Sequence, residues 1–344
     1  MAMQVSDHAD LVETIRDHAP KDVWEDISFD RQRYIALPEL MRQARDNIQG
    51  GEKLTWPVKV EKTDTAQPVG LFTKRTVDVP MLMTTAEVPW RHVTAYWVSN
   101  ELEDSLAKGP ERLVKIVNVR RNGAFQDLCA QFESGFWSTG GAGDDYYGLF
   151  YYLVHNNTVG QTGGNPTVGG STVSVAGISR DDYANWKNWS GSYTDITRTD
   201  FVRKMRELAN KSKFLNPYPN PTPSDKGRRM GYYTDYAVWE ILVELAQNQN
   251  DRLGPDLTAL EGRVTFHGQQ IVWVPELDSH GYDPMIGINW SVVKFKFLTG
   301  EFMNELGAKQ SAEQPRTWVH WIDTTLNLEC TNPRNAGFEM STEV

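Results

Sequence analysis

Apolar and polar side chains alternate without a break from Leu54 to Glu61: Leu54, Trp56, Val58 and Val60 on one side, Thr55, Pro57, Lys59 and Glu61 on the other. A period of two is that of a strand with one covered and one solvated face. The turn-rich KTDTAQP follows, and then a second strand-like run, GLFTKRTVDV. Residues 54–79 therefore predict a long hairpin. Alone in water a hairpin is marginal, and its open edges invite pairing with other chains, so its apolar face needs a cover.

The period changes elsewhere. Pro38 is followed by ELMRQARDNIQGG, a short helix with Leu40, Met41, Ala44 and Ile48 on one stripe and glycines at its end. Upstream, VWEDISFDRQRYI carries large apolar residues with no neighbouring element to pack on; it must meet something distant, in this chain or another. After the hairpin, AEVPWRHVTAYWV reads as an aromatic strand, and Asn100 with Glu103 as a capping box for a brief helix. Gly109-Pro110 then opens a run in which Leu113, Ile116, Val117, Ala124, Leu128, Phe132 and Phe136 recur every three or four residues. That is one amphipathic helix of about seven turns, longer than the average globular helix.

Further on, Thr199 or Asp200 caps FVRKMRELANKSK, a second helix; a proline-rich linker, NPYPNPTPSDKG, leads into a third, TDYAVWEILVELAQNQ. RVTFHGQQIVWVPEL, SVVKFKFL and TWVHWIDTTLNLEC return to strand alternation. Helices grouped among strands, expected to pair antiparallel, place the chain in the α+β class.

Composition narrows the field. With 344 residues, 40% apolar and 23% charged, the chain can build a large core as one large or two modest domains. Twelve tryptophans favour extensive aromatic contacts. A formal charge of -10 disfavours sequence-specific grip on nucleic acid, which requires a basic balance or stripe; Arg112, Lys115, Arg120 and Arg121 read as a solvated helix face. Two distant cysteines, Cys129 and Cys330, make no disulfide framework, as in a reducing compartment. The run YYGLFYYLV is far short of the roughly 20 residues a membrane helix needs.

Candidate chemistry is sparse. The glycines of STGGAGDDYYG and GQTGGNPTVGG lack the Lys-Ser/Thr of a phosphate loop and read as flexible loops. The seven histidines are scattered; His280 beside Asp278 and Asp283 is the best metal candidate, with an ordinary polar turn the preferred reading. Asp144-Asp145 and Asp181-Asp182 are adjacent in sequence, which does not make two carboxylates face across a substrate, and there is no Gly-x-Ser-x-Gly elbow. No catalytic, cofactor or metal residue is assigned.

The order of the parts resembles one family, the major capsid proteins of tailed double-stranded DNA phages with the Hong Kong 97-like fold. The resemblance runs from about Pro38 to Glu329. It rests on PELMRQARDNIQGGEKLTWPV, TTAEVPWRHVTAYW, the helix ending FESGFWSTG, GISRDDYANWKNW, GYYTDYAVWEILVEL, VTFHGQQIVWVPELD and TWVHWIDTTLNLE, in that order. It implies an N-terminal arm (1–49), an extended β-hairpin loop (50–92), a peripheral domain with a long spine helix (93–140 and 310–344) and an axial domain (141–309). It also implies that the loop lies across a neighbouring copy, so that Trp56, Val58, Lys59, Leu71, Phe72, Lys74 and Arg75 make contacts between subunits. The Trp56, Val58, Leu71 and Phe72 face would then be covered in the shell rather than in the single chain.

The implied role is a self-assembling subunit of hexamers and pentamers in an icosahedral head around double-stranded DNA, with no cofactor and no membrane. A separate scaffolding protein is expected, together with a portal and decoration proteins. In the founding member a loop lysine joins a neighbour's asparagine. Lys59, Lys62, Lys74, Asn332 and Asn335 occupy the corresponding regions, but such links are uncommon and hairpin lysines ordinarily stay solvated, so the expectation is a shell without them. The alternatives are a nanocompartment shell of the encapsulin type, whose loop is shorter, and a carbohydrate-active enzyme or lectin, suggested only by the many aromatic and acidic residues.

Overall fold

The computed structural model describes residues 34–43, 47–61, 66, 68–69, 83–101, 110–155, 162–212, 230–250, 264–267, 269–312 and 314–342. In chain order these form helix α1 (Ala36–Gln43), strands β1 (Asn47–Ile48), β2 (Lys53–Lys59), β3 (Met83–Pro89) and β4 (Arg91–Asn100), then the long helix α2 (Pro110–Phe136). A short helix α3 (Leu149–Tyr152), a small hairpin β5 (Thr167–Val168) and β6 (Ser171–Thr172), strand β7 (Trp189–Tyr193) and helix α4 (Phe201–Lys211) come next. Then follow β8 (Met230–Thr234), α5 (Tyr236–Asn250), β9 (Thr265–Phe266), β10 (Gln269–Trp273), β11 (Met285–Asn289), β12 (Val293–Leu298), β13 (Asn304–Gln310) and β14 (Thr317–Cys330). The chain closes with α6 (Pro333–Ala336) and β15 (Gly337–Thr342).

Two compact units emerge, one of residues 1–50, 91–134 and 297–326, the other of residues 51–90, 135–296 and 327–344. In the first, β4 and β14 pair antiparallel over ten successive positions, Arg91 opposite Leu326 through Asn100 opposite Thr317. β13 pairs with the other edge of β14, and β1 adds parallel to the end of β12. Cross-strand side chains reinforce the register: Trp97 stacks on His320 with centroids 3.7 Å apart, and Tyr96 meets Trp321 at 5.3 Å. Ala124, Leu128 and Phe132 of α2 are buried, as the period of that helix predicts.

The arm helix is shorter than its pattern suggested. Ala36 and Leu40 are buried but Met41 is exposed, and Ile48 belongs to a strand, opposite Leu298. The α1 start is set by an acid remote in sequence. The Glu133 carboxylate, itself buried, accepts hydrogen bonds from the backbone N–H groups of Ile35, Ala36 and Leu37 at 2.9–3.0 Å. These are the donors a helix N-terminus leaves unsatisfied, and negative charge there also meets the favourable end of the helix dipole. Asn100 ends β4, its amide donates to Thr317 Oγ1, and Glu101 directly after it is helical; the rest of the expected brief helix, Glu103 included, lies outside the described residues.

The second unit is built on a six-stranded sheet of order β7-β15-β11-β8-β10-β9. Tyr193, Phe201, Met205, Leu208, Tyr232, Val238, Ile271, Met285 and Phe338 share one core between this sheet and helices α4 and α5. The sheet is mixed: β10 runs parallel to β8 and β15 parallel to β7, while β11 is antiparallel to both β8 and β15. This corrects the expected antiparallel pairing. α5 carries the chain from β8 to its parallel neighbour β10, and β15 reaches β7 only after β14 and α6; strand periodicity encodes neither sense. β15, buried through most of its length, carried no alternation to announce it. Its first residue must be glycine: Gly337 has φ +142°, and a Cβ there would sit 1.7 Å from the Gly287 carbonyl oxygen. The expected flexible loop at residues 138–148 is also tightly packed, since a Cβ on Gly140 (φ +62°) would meet the Tyr146 carbonyl at 1.9 Å.

Candidate assembly surface

The hairpin forms where its alternation placed it, with β2 and β3 antiparallel and Trp56 opposite Ala86. Its face, however, does not wait for a neighbour. Leu54, Trp56, Val58, Val60, Ala86 and Val88 are all below one-tenth exposed in the single chain. The cover comes from residues 175–186 of the same unit: Glu87 N–H donates to the Ala176 carbonyl at 3.0 Å, and the Asn185 amide to the Val60 carbonyl at 3.3 Å. The expectation that Trp56 and Val58 are covered only in an assembly is thereby corrected. The physical reason is that the segment around GISRDDYANWKNW supplies an apolar floor and two polar ties, which no strand pattern could foretell. On the outer side Lys53 and Glu87 form an exposed ion pair at 2.9 Å. Leu71, Phe72, Lys74, Arg75 and Lys62 lie outside the described residues.

The floor is held rigidly. Arg180 is fully buried and donates to the Gly164 carbonyl, the Asn188 Oδ1 and the Tyr152 carbonyl at 2.6–2.7 Å. Burial lowers its pKa to about 10, still above neutrality, so the guanidinium stays charged and is solvated by oxygens alone. Tyr151 OH accepts from Ala176 N–H and donates to the Ser174 carbonyl, and the Trp186 indole donates to the Val175 carbonyl.

Between the hairpin base and this floor opens a cleft of about 700 Å³. Lys59, Val60 and Glu61 form one wall; Asn185, Trp186, Trp189, Lys211 and Arg334 are on the other. The Trp189 ring meets two cations, Arg334 at 4.9 Å and Lys211 at 5.6 Å from its centroid. The Arg334 guanidinium also donates to Asn185 Oδ1 at 2.8 Å, and Lys211 pairs with Glu207 on its own helix. Neither Lys59 nor Arg334 has a carboxylate partner among the described residues. Glu61 is the acidic residue of the lining.

Lys59, Asn332 and Asn335, singled out for covalent links, line this same cleft. Asn332 Oδ1 accepts from Arg334 N–H and so begins α6. The cleft residues Asn185, Trp186, Trp189, Lys211 and Arg334 were missed as a group: they come from three separated stretches, and the only signal was the landmark GISRDDYANWKNW.

The metal candidate dissolves into ordinary bonding. His280 Nε2 faces the Trp137 carbonyl and Nδ1 the Tyr282 hydroxyl, both at 3.1 Å. Asp278 accepts from Tyr236 N–H and the Trp273 indole. Among the described residues no cluster of three or more metal-ligating side chains occurs, and no described helix is long and apolar enough to cross a membrane.

No protein-family model matches the chain, and no curated protein does. Solved structures do. A chain of the cyanophage A-1(L) capsid asymmetric unit superposes with a TM-score of 0.65 at 14% identity, over 93% of this chain and 97% of that one. A chain of the native GTA particle capsid, computed with C5 symmetry, gives 0.60 at 8% identity, over 100% of both. The capsid of Myoviridae phage XM1 gives 0.53 at 11% identity, over 95% and 99%. The chain has the Hong Kong 97-like capsid fold. The correspondence covers nearly the whole of both chains in each case. At such low identities the capsid fold is kept by burial pattern and topology rather than by particular side chains.

Proposed function

We propose that this chain is the major capsid subunit of a tailed phage, closing as hexamers and pentamers into an icosahedral head around double-stranded DNA. The observation that carries the reading is the end-to-end correspondence with capsid chains, 100% of both chains in one case. On this reading residues 93–140 and 310–344 form the peripheral domain around the long helix, residues 141–309 the axial domain, residues 1–49 the arm, and residues 50–92 the extended loop, with β2–β3 at its root. Contacts between copies fall to the exposed Lys59 and to Leu71, Phe72, Lys74 and Arg75 farther along the loop. Each such contact is modest, and closed symmetry repeats it in every subunit.

The partners are copies of the chain itself, a separate scaffolding protein, a portal and decoration proteins. Packaged DNA is enclosed without sequence-specific binding, in keeping with the charge of -10. The place is the virion, assembled in the host cytoplasm, and the role is architectural rather than catalytic. Expression with and without candidate scaffolding proteins, followed by size-exclusion chromatography and negative-stain microscopy, tests it. Shells, tubes or rings of five or six are expected, and a monomer at every concentration overturns it. Replacing residues 61–75 with a Gly-Asn turn is expected to leave the fold intact and impair assembly. Denaturing electrophoresis of boiled particles is expected to show a single band at the 39.1 kDa chain mass, without a ladder.

A further inference from the structure

The second unit carries an aromatic face that its own core leaves open. Tyr236 and Ile241 of α5 and Trp273 at the end of β10 are 40–45% exposed. The Tyr236 and Trp273 rings meet edge to face at 5.3 Å, and half-buried Trp239 lies 6.0 Å from Tyr236. Ile241 belongs to the same exposed stripe of α5 as Tyr236, Ala237, Glu240 and Glu244. Trp273 is held in place: its indole N–H donates to both oxygens of Asp278, at 3.0 and 3.1 Å, and Asp278 Oδ1 accepts the Tyr236 N–H at 2.8 Å. With the polar edge of the ring satisfied inside the chain, the part offered outward is apolar. Exposed apolar patches mark interaction sites, and fixed tryptophans and tyrosines are the residues that carry most binding energy.

The charge around this face has one sign. Residues 230–250 and 269–285 contain Asp235, Glu240, Glu244, Glu276, Asp278 and Asp283 and no lysine or arginine. Glu240, Glu244 and Glu276 enter no ion pair among the described residues; Arg228, Arg229 and Arg252, which flank the first stretch, lie outside them. A guanidinium suits both features, because it stacks on an aromatic ring and takes a carboxylate in its fork. The basic helix α4 of a second copy is a poorer match. It exposes Arg203 and Arg206, but no large apolar side chain of α4 is exposed to cover Tyr236, Ile241 and Trp273. We propose that this face binds an amphipathic, arginine-bearing segment of a protein other than this chain. Its apolar side chains lie on Tyr236 and Ile241, and its arginines stack on Trp273 and pair with Glu240 and Glu244. The face is complete in the single chain, so this binding does not require shell formation. The free carboxylates steer the encounter, and the aromatic rings supply the hold.

The test uses the full-length chain and, as probe, a fluorescein-labelled peptide of Arg-Leu-Ala-Arg repeats carrying photoreactive benzoylphenylalanine. Fluorescence anisotropy measures binding, and irradiation followed by digestion maps it. Crosslinks are expected within residues 236–250 or 269–279. Trp273→Ala should weaken binding at least about tenfold, as loss of an aromatic anchor does. Glu240→Gln with Glu244→Gln should weaken it by about fivefold or more, whereas Asp182→Asn with Asp195→Asn, an equal loss of exposed charge, should change it less than about twofold. Glu240→Lys with Glu244→Lys should abolish binding and admit the same peptide with glutamate in place of arginine. Glu240 and Glu244 are exposed, so these variants decide the matter even where Trp273→Ala fails to fold. Equal losses in the two charge-matched pairs would reduce the attraction to net charge and overturn the proposal. So would crosslinks to another surface, binding indifferent to Trp273→Ala, or equal binding of the glutamate peptide by the parent. Loss of binding when the chain assembles into shells would give the face to a second copy and also overturn it.

Discussion

Trp56 decides what the hairpin root is for. Its side chain is 7% exposed in the single chain, and Val58 beside it is 8% exposed. A tryptophan buries about 150–250 Å², and truncating a buried Trp to Ala costs about 3–5 kcal/mol, the transfer term plus the cavity left behind. If the root is part of the subunit's own core, Trp56→Ala should destabilise the unassembled chain by about that amount. The Trp56 indole N–H is buried without a hydrogen-bond partner among the described residues. Trp56→Phe therefore gives up ring volume while removing an unpaired donor, and should cost less than about 1.5 kcal/mol. Urea unfolding of assembly-free protein, followed by far-UV circular dichroism, measures both, with unchanged slopes showing that the unfolded states are comparable. An alanine variant within 1 kcal/mol of the parent, but unable to assemble, would refute the argument. It would return Trp56 to the contact between copies.

Other consequences follow from single contacts. Glu133→Ala should cost about 2–4 kcal/mol by leaving three N–H groups at the α1 start without their acceptor, and amide exchange at Ala36 and Leu37 should rise with it; unchanged protection there would refute the cap. Gly337→Ala should cost more than about 3 kcal/mol, since strain at φ +142° adds to a clash with the Gly287 carbonyl; a melting curve like the parent's would show that the β11–β15 pair yields easily. Asp235 is pushed up to about 6, mainly by burial and then by the charge of Asp283. Its folded pKa lies above its unfolded value, so the folded chain holds the proton more tightly and this group's contribution falls as pH rises from about 4 to 6. Asp235→Asn keeps an acceptor for Val238 N–H and should match the parent near pH 4 but exceed it above pH 6; a constant difference across that range would refute the assignment.

The long helix was legible because its apolar residues keep one period for seven turns, and the structure ends it at Phe136 as that period does. β14 was legible in the same way, running through all fourteen residues of TWVHWIDTTLNLEC. Strand existence at β9–β10 followed from two β-rich runs around one glycine. The first helix misled because Ile48 fits a helical stripe as well as it fits a strand, and Met41, inside α1, faces outward all the same. Of the site, the alternation showed that the hairpin had a face to bury but not what would bury it.

That division has one physical origin. Periodicity records whether a side chain faces apolar matter or water, so the chain alone determined its class, its hairpin and its long helix. It does not record which distant segment provides the apolar matter. Glu133 at the start of α1, the parallel entry of β15 beside β7, the tie of Glu87 to Ala176, and the cleft lined by both Lys59 and Arg334 bring together residues about 90 or more apart. Each is selected by the whole core closing at once, and only the tertiary structure decided them.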